Sequence, residues 1–179
     1  MRKCKACGTT FEPKFSSLQA GCSVPCLIAI GRGKQAKTKK VESLAFKRAV
    51  REKDKTWHLN TLQTIFNRFI RLRDADQPCI SCGTRNDVQY CAGHFLTRGG
   101  FPELRYDELN VHKQCNRNCN MGLSGNVKLY RIGLIKKIGL AEVEKLEGPH
   151  EPKKYTIDDL KELIVHYRQL NRELEKDAT

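Results

Sequence analysis

The fold is decided by residues 79–126, which read CISCGTRNDVQYCAGHFLTRGGFPELRYDELNVHKQCNRNCNMGLSGN. This stretch opens with the pair Cys79-x2-Cys82 and carries a second pair, Cys115-x3-Cys119, near its end. Two or three residues between thiolates suit two corners of a tetrahedral zinc site. Zinc joining the two pairs would clamp a turn to the start of a helix and fix a two-stranded hairpin against that helix.

A second set of cysteines with the same kind of spacing lies near the N terminus. The pairs Cys4-x2-Cys7 and Cys22-x3-Cys26 bring the paired cysteines to eight of the nine in the chain, with Cys91 left over. Disulfides are expected in secreted chains, and no apolar segment of the signal-peptide type follows the first methionine. We therefore predict two structural Zn²⁺ sites, with unligated buried thiols as the alternative for the N-terminal set.

The chain has a large excess of basic residues. It contains 33 lysines and arginines against 20 aspartates and glutamates, which gives a formal net charge of +13. Such an excess favours binding to a polyanion, most often nucleic acid, although solubility or an acidic partner would also account for it. No window approaches the roughly 18 apolar residues of a membrane span, so no membrane association is predicted.

Composition and hydrophobic periodicity divide the chain into four segments. Residues 1–30 are predicted to form an N-terminal zinc finger, and residues 31–56 a basic linker or helix. Residues 57–148 are predicted to form the core with its flanking helices, and residues 149–179 a C-terminal helix. The 31–56 tract is either a solvated linker helix or an arm that tracks DNA phosphates, and a lysine-rich helix can do both.

Local sequence signals predict the secondary structure. Apolar residues at helical spacing predict a helix over 57–74, capped by Thr56 or Asn60. Residues 123–147 predict two helices that are interrupted at Gly139. The other predicted elements are strands at Thr10–Phe11, from residue 88 to near His94 and at 109–112, a helix at 24–30, and a final helix from Thr156, where Asp159 completes a start that resembles a capping box.

Three side chains in residues 79–126 suit phosphodiester hydrolysis. His94 is predicted at the end of the first strand, Asn110 opposite it on the second strand, and Asn120 on the helix. Hydrolysis needs a base to activate water and a cation to stabilise charge on the phosphate. A histidine with a neutral ring nitrogen near pH 7 suits the first task, and an asparagine oxygen can bind a hard cation such as Mg²⁺.

The same three residues, set between C-x2-C and C-x3-C, resemble the HNH endonuclease pattern. The surrounding sequence is similar to the NinG (Rap) recombination endonucleases of lambda-like phages. The matching segments are MRKCKACGTTFEPKFS, PCISCGT, AGHF, NVHKQC, SGN and YRIGLIKKIG. The resemblance extends over nearly the whole chain, except that residues 31–56 contain no clearly matching segment.

The resemblance implies an α+β fold: a small zinc-stabilised ββα-metal (HNH, treble-clef-like) core with flanking α-helices and an N-terminal zinc finger. It implies a structure-specific DNA endonuclease that acts on branched recombination intermediates, such as Holliday junctions and D-loops, in the cytoplasm of the host bacterial cell. Carried over by position, His94 is the general base, Asn110 its orienting partner and Asn120 a ligand of a catalytic Mg²⁺ or Mn²⁺.

The chain departs from the family pattern around the predicted base. HNH sites place an acid or a histidine directly before the catalytic histidine, and here that residue is Gly93. Where relatives have Asp-Ala-Gly-His, this chain begins the motif with Cys91, and soft sulfur is a poor ligand for Mg²⁺. The site would then hold its cation through fewer protein groups and more water, or would hold it less tightly. Alternatively, the cation would be a softer metal ion such as Mn²⁺ or Zn²⁺. The C-x3-C spacing also leaves Asn118 as a second candidate for the helix ligand, and Asn120 is favoured.

Further residues are candidates for contact with nucleic acid. His112 shares a strand face with Asn110, so it either contacts phosphate or the metal or is a structural histidine satisfied by its neighbours. Arg98, Arg105 and Lys113 are predicted phosphate contacts, with a solvated face as the alternative for each. A junction resolvase needs two cuts on opposing strands, so a homodimer is predicted through the 57–74 helix or the final helix. Phage or host recombination proteins are further candidate partners.

Two other functions are compatible with the sequence. The first is a non-catalytic zinc-finger DNA-binding or architectural recombination protein, which needs the cysteines and the charge but has no need of the three-residue constellation. The absence of an acid before His94 is the best argument for it. The second is a general or site-specific HNH nuclease, such as a homing or restriction enzyme, and only the near-full-length resemblance argues against it.

Overall fold

The computed structural model describes residues 1–177, and the chain forms two compact units, of which the first is Met1–Lys53 and the second begins at Asp54. In the first unit, β1 (Arg2–Lys3) pairs antiparallel with β2 (Thr10–Phe11), as predicted, and α1 (Val24–Lys53) follows. The predicted helix at 24–30 therefore continues through most of the basic tract, because lysine, alanine and glutamate are good helix formers. None of the residues of α1 is buried.

The second unit begins with α2 (Lys55–Arg73). Its N-cap is Asp54, whose carboxylate accepts a hydrogen bond from the backbone N–H of Trp57 at 3.1 Å. The caps predicted at Thr56 or Asn60 are wrong, because both residues lie inside the helix and aspartate is among the best N-cap residues. The segment boundaries predicted at residues 30 and 56 likewise fall within helices.

The final helix, α5 (Ile157–Asp177), packs along α2 within the same unit. The capping box is confirmed, since Thr156 Oγ1 accepts from the N–H of Asp159 at 3.1 Å and the carboxylate of Asp159 accepts in return at 2.7 Å. The Phe66 and Tyr167 rings are 4.9 Å apart at the centre of this interface. The buried members of the cluster are Leu62, Phe66, Phe69, Ile70, Tyr106, Val111, Tyr155, Leu160, Ile164 and Tyr167.

The apolar stripes of α2 and α5 are thus covered by each other. The apolar stripes are therefore not available for the predicted homodimer, and an interface through the other faces of either helix is untested. Periodicity shows that a helix has an apolar face but does not show what covers that face. The homodimer itself stays a prediction.

A short antiparallel hairpin lies at the centre of the second unit. It consists of β3 (Tyr90–His94) and β4 (Val111–Cys115), which pair from Tyr90 with Cys115 to His94 with Val111. The first strand ends at His94, as predicted, but begins two residues later than predicted, and the second strand begins two residues and ends three residues beyond its predicted bounds. A π-helical segment, Asn116–Gly122, follows β4 directly, and a 3-10 turn, Pro102–Leu104, lies in the loop between the strands.

Two further helices cover the hairpin loop. They are α3 (Val127–Ile138) and α4 (Leu140–Glu147), and the predicted break at Gly139 is confirmed by its φ of +87°, a region that favours glycine. Tyr130 of α3 is fully buried, and its hydroxyl donates to the carbonyl of Gly93 at 2.8 Å. The fold is therefore α+β, mainly helical with two small sheets. Among residues 1–177, no helix is both long and apolar enough to cross a membrane.

Candidate active site and metal centres

The first predicted zinc site comes together in the N-terminal unit. We call its members the N-terminal quartet: Cys4, Cys7, Cys22 and Cys26, whose sulfur atoms all lie within 4.8 Å of one another. Cys22 Sγ lies 3.5 Å from Cys7 Sγ and 3.7 Å from Cys26 Sγ. Sulfur atoms at the corners of a zinc tetrahedron with Zn–S bonds near 2.3 Å are about 3.8 Å apart. This quartet could bind zinc.

The second predicted site, the core quartet, is formed by Cys79, Cys82, Cys115 and Cys119. The Sγ atoms of Cys79 and Cys119 are 3.9 Å apart, and those of Cys82 and Cys115 are 3.4 Å apart. These separations exceed the roughly 2.05 Å of a disulfide and match the edges of a zinc tetrahedron. The backbone N–H of Cys115 donates to Cys79 Sγ at 3.3 Å, as expected where a thiolate is stabilised. This quartet could bind a second zinc ion, which would join the turn at Cys79 and Cys82 to the end of β4.

The ring of His94 is held in one orientation at the end of β3. Its Nε2 atom lies 3.0 Å from the carbonyl oxygen of Arg105. A carbonyl can only accept, so Nε2 carries the proton and Nδ1 keeps its lone pair. Burial lowers the pKa of His94, and the charges of Arg98 and Arg105 lower it further, against the raising effect of the hydrogen bond to the carbonyl. His94 is therefore a neutral base at pH 7.

Asn110 does not contact the ring of His94, which corrects the orienting role predicted from the sequence. It is fully buried, and its Oδ1 accepts from the N–H of Leu96 at 2.8 Å. Its Nδ2 donates to the carbonyls of Leu96 at 3.0 Å and Leu104 at 3.1 Å. Backbone groups of a buried loop need partners, and one amide side chain supplies both a donor and an acceptor. Asn110 thus fixes the loop whose Arg105 carbonyl orients the histidine.

Two polar residues of α2 belong to the same hydrogen-bond chain, and sequence reasoning missed them. Gln63 is 7% exposed, and its Oε1 accepts from Arg105 Nε at 2.8 Å. Its Nε2 donates to Asn67 Oδ1 at 2.8 Å. This series of hydrogen bonds runs from Asn67 through Gln63 and Arg105 to His94. The available signal was a pair of amide residues spaced i, i+4 beside the apolar stripe of α2.

His94 lines a pocket of about 380 Å³, here called the His94 pocket. Asn120 lines this pocket together with His94, as the sequence predicted, and the alternative Asn118 is not among its lining residues. Arg98 also lines it and is exposed, so its guanidinium can reach an anion there. The other lining residues are Gln63, Asn67, Ala92, Phe95, Thr97, Ser124, Gly125 and Val127.

His112 lies elsewhere, in a buried charged network, and its position favours the alternative of a structural histidine that is satisfied by its neighbours. It is 2% exposed, and its Nε2 lies 3.0 Å from the Leu109 carbonyl. Its Nδ1 therefore accepts from Arg73 Nη2 at 2.9 Å and from Lys137 Nζ at 3.1 Å. Both cations also bind the buried carboxylate of Asp74, at 3.0 Å and 2.8 Å. The strand position brings this histidine under the helices rather than into the pocket.

Lys113 is also placed away from the His94 pocket. Its Nζ donates to the carbonyl of Ala75 at 2.6 Å and lies 4.4 Å from the centre of the Tyr90 ring. The sequence could not show this, because Ala75 is 38 residues away in the chain. A phosphate contact by Lys113 at the His94 pocket therefore has no support from its position.

These observations can now be compared with known proteins. The family model described as "Bacteriophage Lambda NinG protein" matches residues 1–177. The chain belongs to the NinG family. Protein ninG of Salmonella phage P22 is 37% identical, with 97% of this chain and 93% of that protein aligned, and protein ninG of Escherichia phage lambda is 36% identical over the same shares. Protein ninG of Escherichia phage 933W is 35% identical, again over 97% of this chain and 93% of that protein. No solved structure matches the chain.

The residue before the histidine of this NinG-family chain has no room for a side chain. A Cβ on Gly93 would lie 2.9 Å from Cβ and 3.0 Å from Cδ of Gln114, and closer still to its amide oxygen. Gln114 is fully buried, and its Nε2 donates to Ser81 Oγ at 2.7 Å and to the Gly125 carbonyl at 2.6 Å. The amide of Gln114 therefore occupies the space that an acidic residue at position 93 would need.

This packing predicts that Gly93→Ala destabilises the second unit. We expect a loss of about 1–3 kcal/mol in the free energy of unfolding, because overpacking of a buried site typically costs that much. The measurement is chemical unfolding followed by circular dichroism at constant zinc content. Gly99→Ala is the matched control, since a Cβ there meets nothing within 4 Å. Equal stability of Gly93→Ala and the wild type would contradict the packing account.

Cys91 also lies outside the His94 pocket. Its thiol contacts the carbonyl of Gln114 at 3.5 Å, and burial raises its pKa to about 11. Because side chains alternate along a strand, residue 91 and His94 point to opposite faces of β3. A protonated thiol on the other face of the strand is not a metal ligand for this pocket.

The lowered pKa of His94 predicts where activity falls on the acid side. A general base works only when it is neutral, so activity that depends on His94 is present above its folded-state pKa and lost as the pH falls through it. Burial places that pKa below the usual value of about 6.5. For the DNA cleavage that we propose below, we expect half-maximal kcat/KM below pH 6.5, with zinc content measured at each pH as the control. A half-maximum above pH 6.5 would contradict the geometry.

Proposed function

We propose that this NinG-family chain is a metal-dependent DNA endonuclease of the HNH type that cuts branched recombination intermediates. The observation that carries the proposal is the state of His94: a half-buried, neutral imidazole with Nε2 fixed by a carbonyl and Nδ1 available at a pocket. A structural histidine has no need of an unpaired Nδ1, and among residues 1–177 none hydrogen-bonds to it.

The proposed reaction is water attack on a phosphodiester bound in the His94 pocket. His94 Nδ1 takes the proton from the attacking water, and Arg98 pairs with a non-bridging oxygen of the phosphate. Asn120, whose amide oxygen is a hard ligand, would hold a Mg²⁺ or Mn²⁺ ion together with water molecules. When bound, such an ion would supply positive charge that stabilises the developing charge on the phosphate. Gln63 and Asn110 act indirectly, because they hold the Arg105 loop that orients the ring.

The two cysteine quartets are proposed to be zinc fingers with a structural role. The core quartet ties the turn at Cys79 to Cys115 and Cys119, so a zinc ion there fixes the hairpin against the π-helical segment that carries Asn120. We propose that this arrangement is a treble-clef-like ββα-metal core. The N-terminal quartet is proposed to stabilise a unit in which α1 buries no side chain, so metal binding supplies most of its folding free energy.

DNA is the proposed partner because the chain has a large excess of positive charge and several of its lysines lie exposed on α1. The 34–40 stretch carries Lys34, Lys37, Lys39 and Lys40, all exposed. Exposed lysines that neutralise phosphates release counterions, so each contact contributes a slope of about −0.9 to the dependence of log affinity on log salt for duplex DNA. A homodimer and recombination proteins of phage or host remain further proposed partners.

The salt dependence gives a test of the α1 contribution. Changing the four lysines at 34, 37, 39 and 40 to alanine should make the salt slope less negative, by up to about 3.6 if each contacts one phosphate of duplex DNA. Fluorescence anisotropy with a labelled duplex at several salt concentrations measures the slope. Lys161→Ala, an exposed lysine of α5 paired with Asp158, is a single-residue control. An unchanged slope would assign the tract to a linker.

The experiment that tests the proposed substrate compares a synthetic four-way junction with a linear duplex of the same sequence. Zinc-loaded protein is incubated with each DNA and with Mg²⁺ or Mn²⁺. The proposal predicts paired cuts near the branch point and little cleavage of the duplex. Equal cleavage of both DNAs would favour a general nuclease. Binding of the junction without cleavage by either metal would favour the non-catalytic binder, which the missing acid at Gly93 keeps as the second candidate.

A further inference from the structure

A groove between α2 and α5 is lined by four arginines. These are Arg68 and Arg71 on α2 and Arg168 and Arg172 on α5, all of them exposed. The groove has a volume of about 610 Å³, and its one acidic lining residue is Glu175. Four positive charges and one negative charge give the groove a local charge of +3. No part of the proposed reaction uses these arginines.

The shape of the groove is set by the core beneath it rather than by the arginines. Asn171 is 6% exposed, and its Nδ2 donates to the backbone carbonyl of Ile65 at 3.1 Å, which ties α5 to α2. The aromatic contacts between the two helices fix the same spacing, since the Phe69 and Tyr167 rings are 5.1 Å apart. Like charges are thus held near one another by packing, which favours a bound polyanion.

The groove and the His94 pocket are both lined by residues of α2. Gln63 and Asn67 line the pocket, and Thr64, Arg68 and Arg71 line the groove. Arg71 is one helical turn beyond Asn67, about 6 Å along the axis and on nearly the same face.

We propose that this arginine groove binds backbone phosphates of the nucleic-acid strand whose scissile phosphate lies at His94. The proposal rests on the proposed function and adds the path of the strand next to the cut. Arginine suits this task because its planar guanidinium can bind phosphate through two hydrogen bonds. The lining residues include no aromatic ring on which a base could stack, so the groove contacts the backbone and is independent of sequence.

The test uses the double variant Arg71→Gln/Arg168→Gln in the full chain. Arg68 is avoided because it pairs with Glu175, and Arg172 because its Nε donates to the Arg168 carbonyl within the helix. The matched control is Lys145→Gln/Lys161→Gln, which removes the same charge from exposed pairs with Glu142 and Asp158 outside the groove. Affinity for a labelled four-way junction and a duplex is measured against salt, without added Mg²⁺ or Mn²⁺.

The groove variant should bind more weakly, with a salt slope less negative by about 1.8 for duplex DNA if each arginine contacts one phosphate. The control should keep the wild-type slope. A second variant, Arg71→Lys/Arg168→Lys, keeps the charge and should keep the slope while losing part of the affinity. Equal slopes for the wild type and the Gln variant would overturn the groove proposal. Because binding is measured without cleavage, a wild type that binds through the groove but never cuts DNA would instead overturn the nuclease.

Discussion

Cys79→Ser is expected to unfold the hairpin core of the second unit and to reduce the zinc content from two ions per chain to one. Cys79 is 1% exposed, and its sulfur lies 3.9 Å from that of Cys119. A serine oxygen is a poor replacement for a soft thiolate at a zinc site. Apparent binding free energies of structural zinc are about 10–16 kcal/mol in zinc-finger peptides, which is as large as the whole stability of a domain.

Cys4→Ser is the matched variant. It removes one ligand of the N-terminal quartet and should also lower the zinc content to one, but the second unit has its own core and should stay folded. Elemental analysis and thermal unfolding followed by circular dichroism distinguish the two variants. Wild-type protein with one zinc ion or none would contradict the two-site account, and so would a Cys79→Ser variant that retains two.

His94→Ala is expected to reduce single-turnover cleavage of a four-way junction by about 10²–10⁴-fold, the usual contribution of a general base. Affinity for the junction should stay within about twofold of the wild type, because the loss of one neutral imidazole removes no charge that neutralises phosphate. His166→Ala is the control, since that histidine is exposed on α5 and lies outside the pocket. A tenfold or greater loss of affinity in His94→Ala would indicate that the residue serves binding.

The sequence was most informative where structure depends on neighbours along the chain. The cysteine spacings predicted both quartets, because two or three intervening residues restrict where a second thiolate can lie. The break at Gly139 and the capping box at Thr156 and Asp159 follow from backbone preferences and local hydrogen bonds. Asn120 lines the His94 pocket and directly follows Cys119 of the core quartet, so the cysteine spacing also indicated where this residue lies, while its role as a metal ligand stays a prediction.

The rest of the site depends on contacts between distant segments. Gln63 reaches Arg105 across 42 residues, so no local signal shows that it supports His94. The surroundings of His112 also come from distant segments, because Asp74, Arg73 and Lys137 lie around its ring. Its position in a strand does not by itself show these neighbours. Periodicity predicted the apolar faces of α2 and α5 correctly. It could not decide whether those faces pack within one chain or between two chains.

The measurement that tests the central claim most directly is cleavage of a labelled four-way junction by wild type and His94→Ala purified side by side. Both proteins are loaded with zinc and shown to bind the junction equally before Mg²⁺ or Mn²⁺ is added. The account predicts metal-dependent cuts by the wild type and a rate about 10²–10⁴-fold lower for the variant. Equal rates would mean that His94 is not the base or that a contaminant cuts the DNA, and a wild type that binds but never cuts would contradict the nuclease outright.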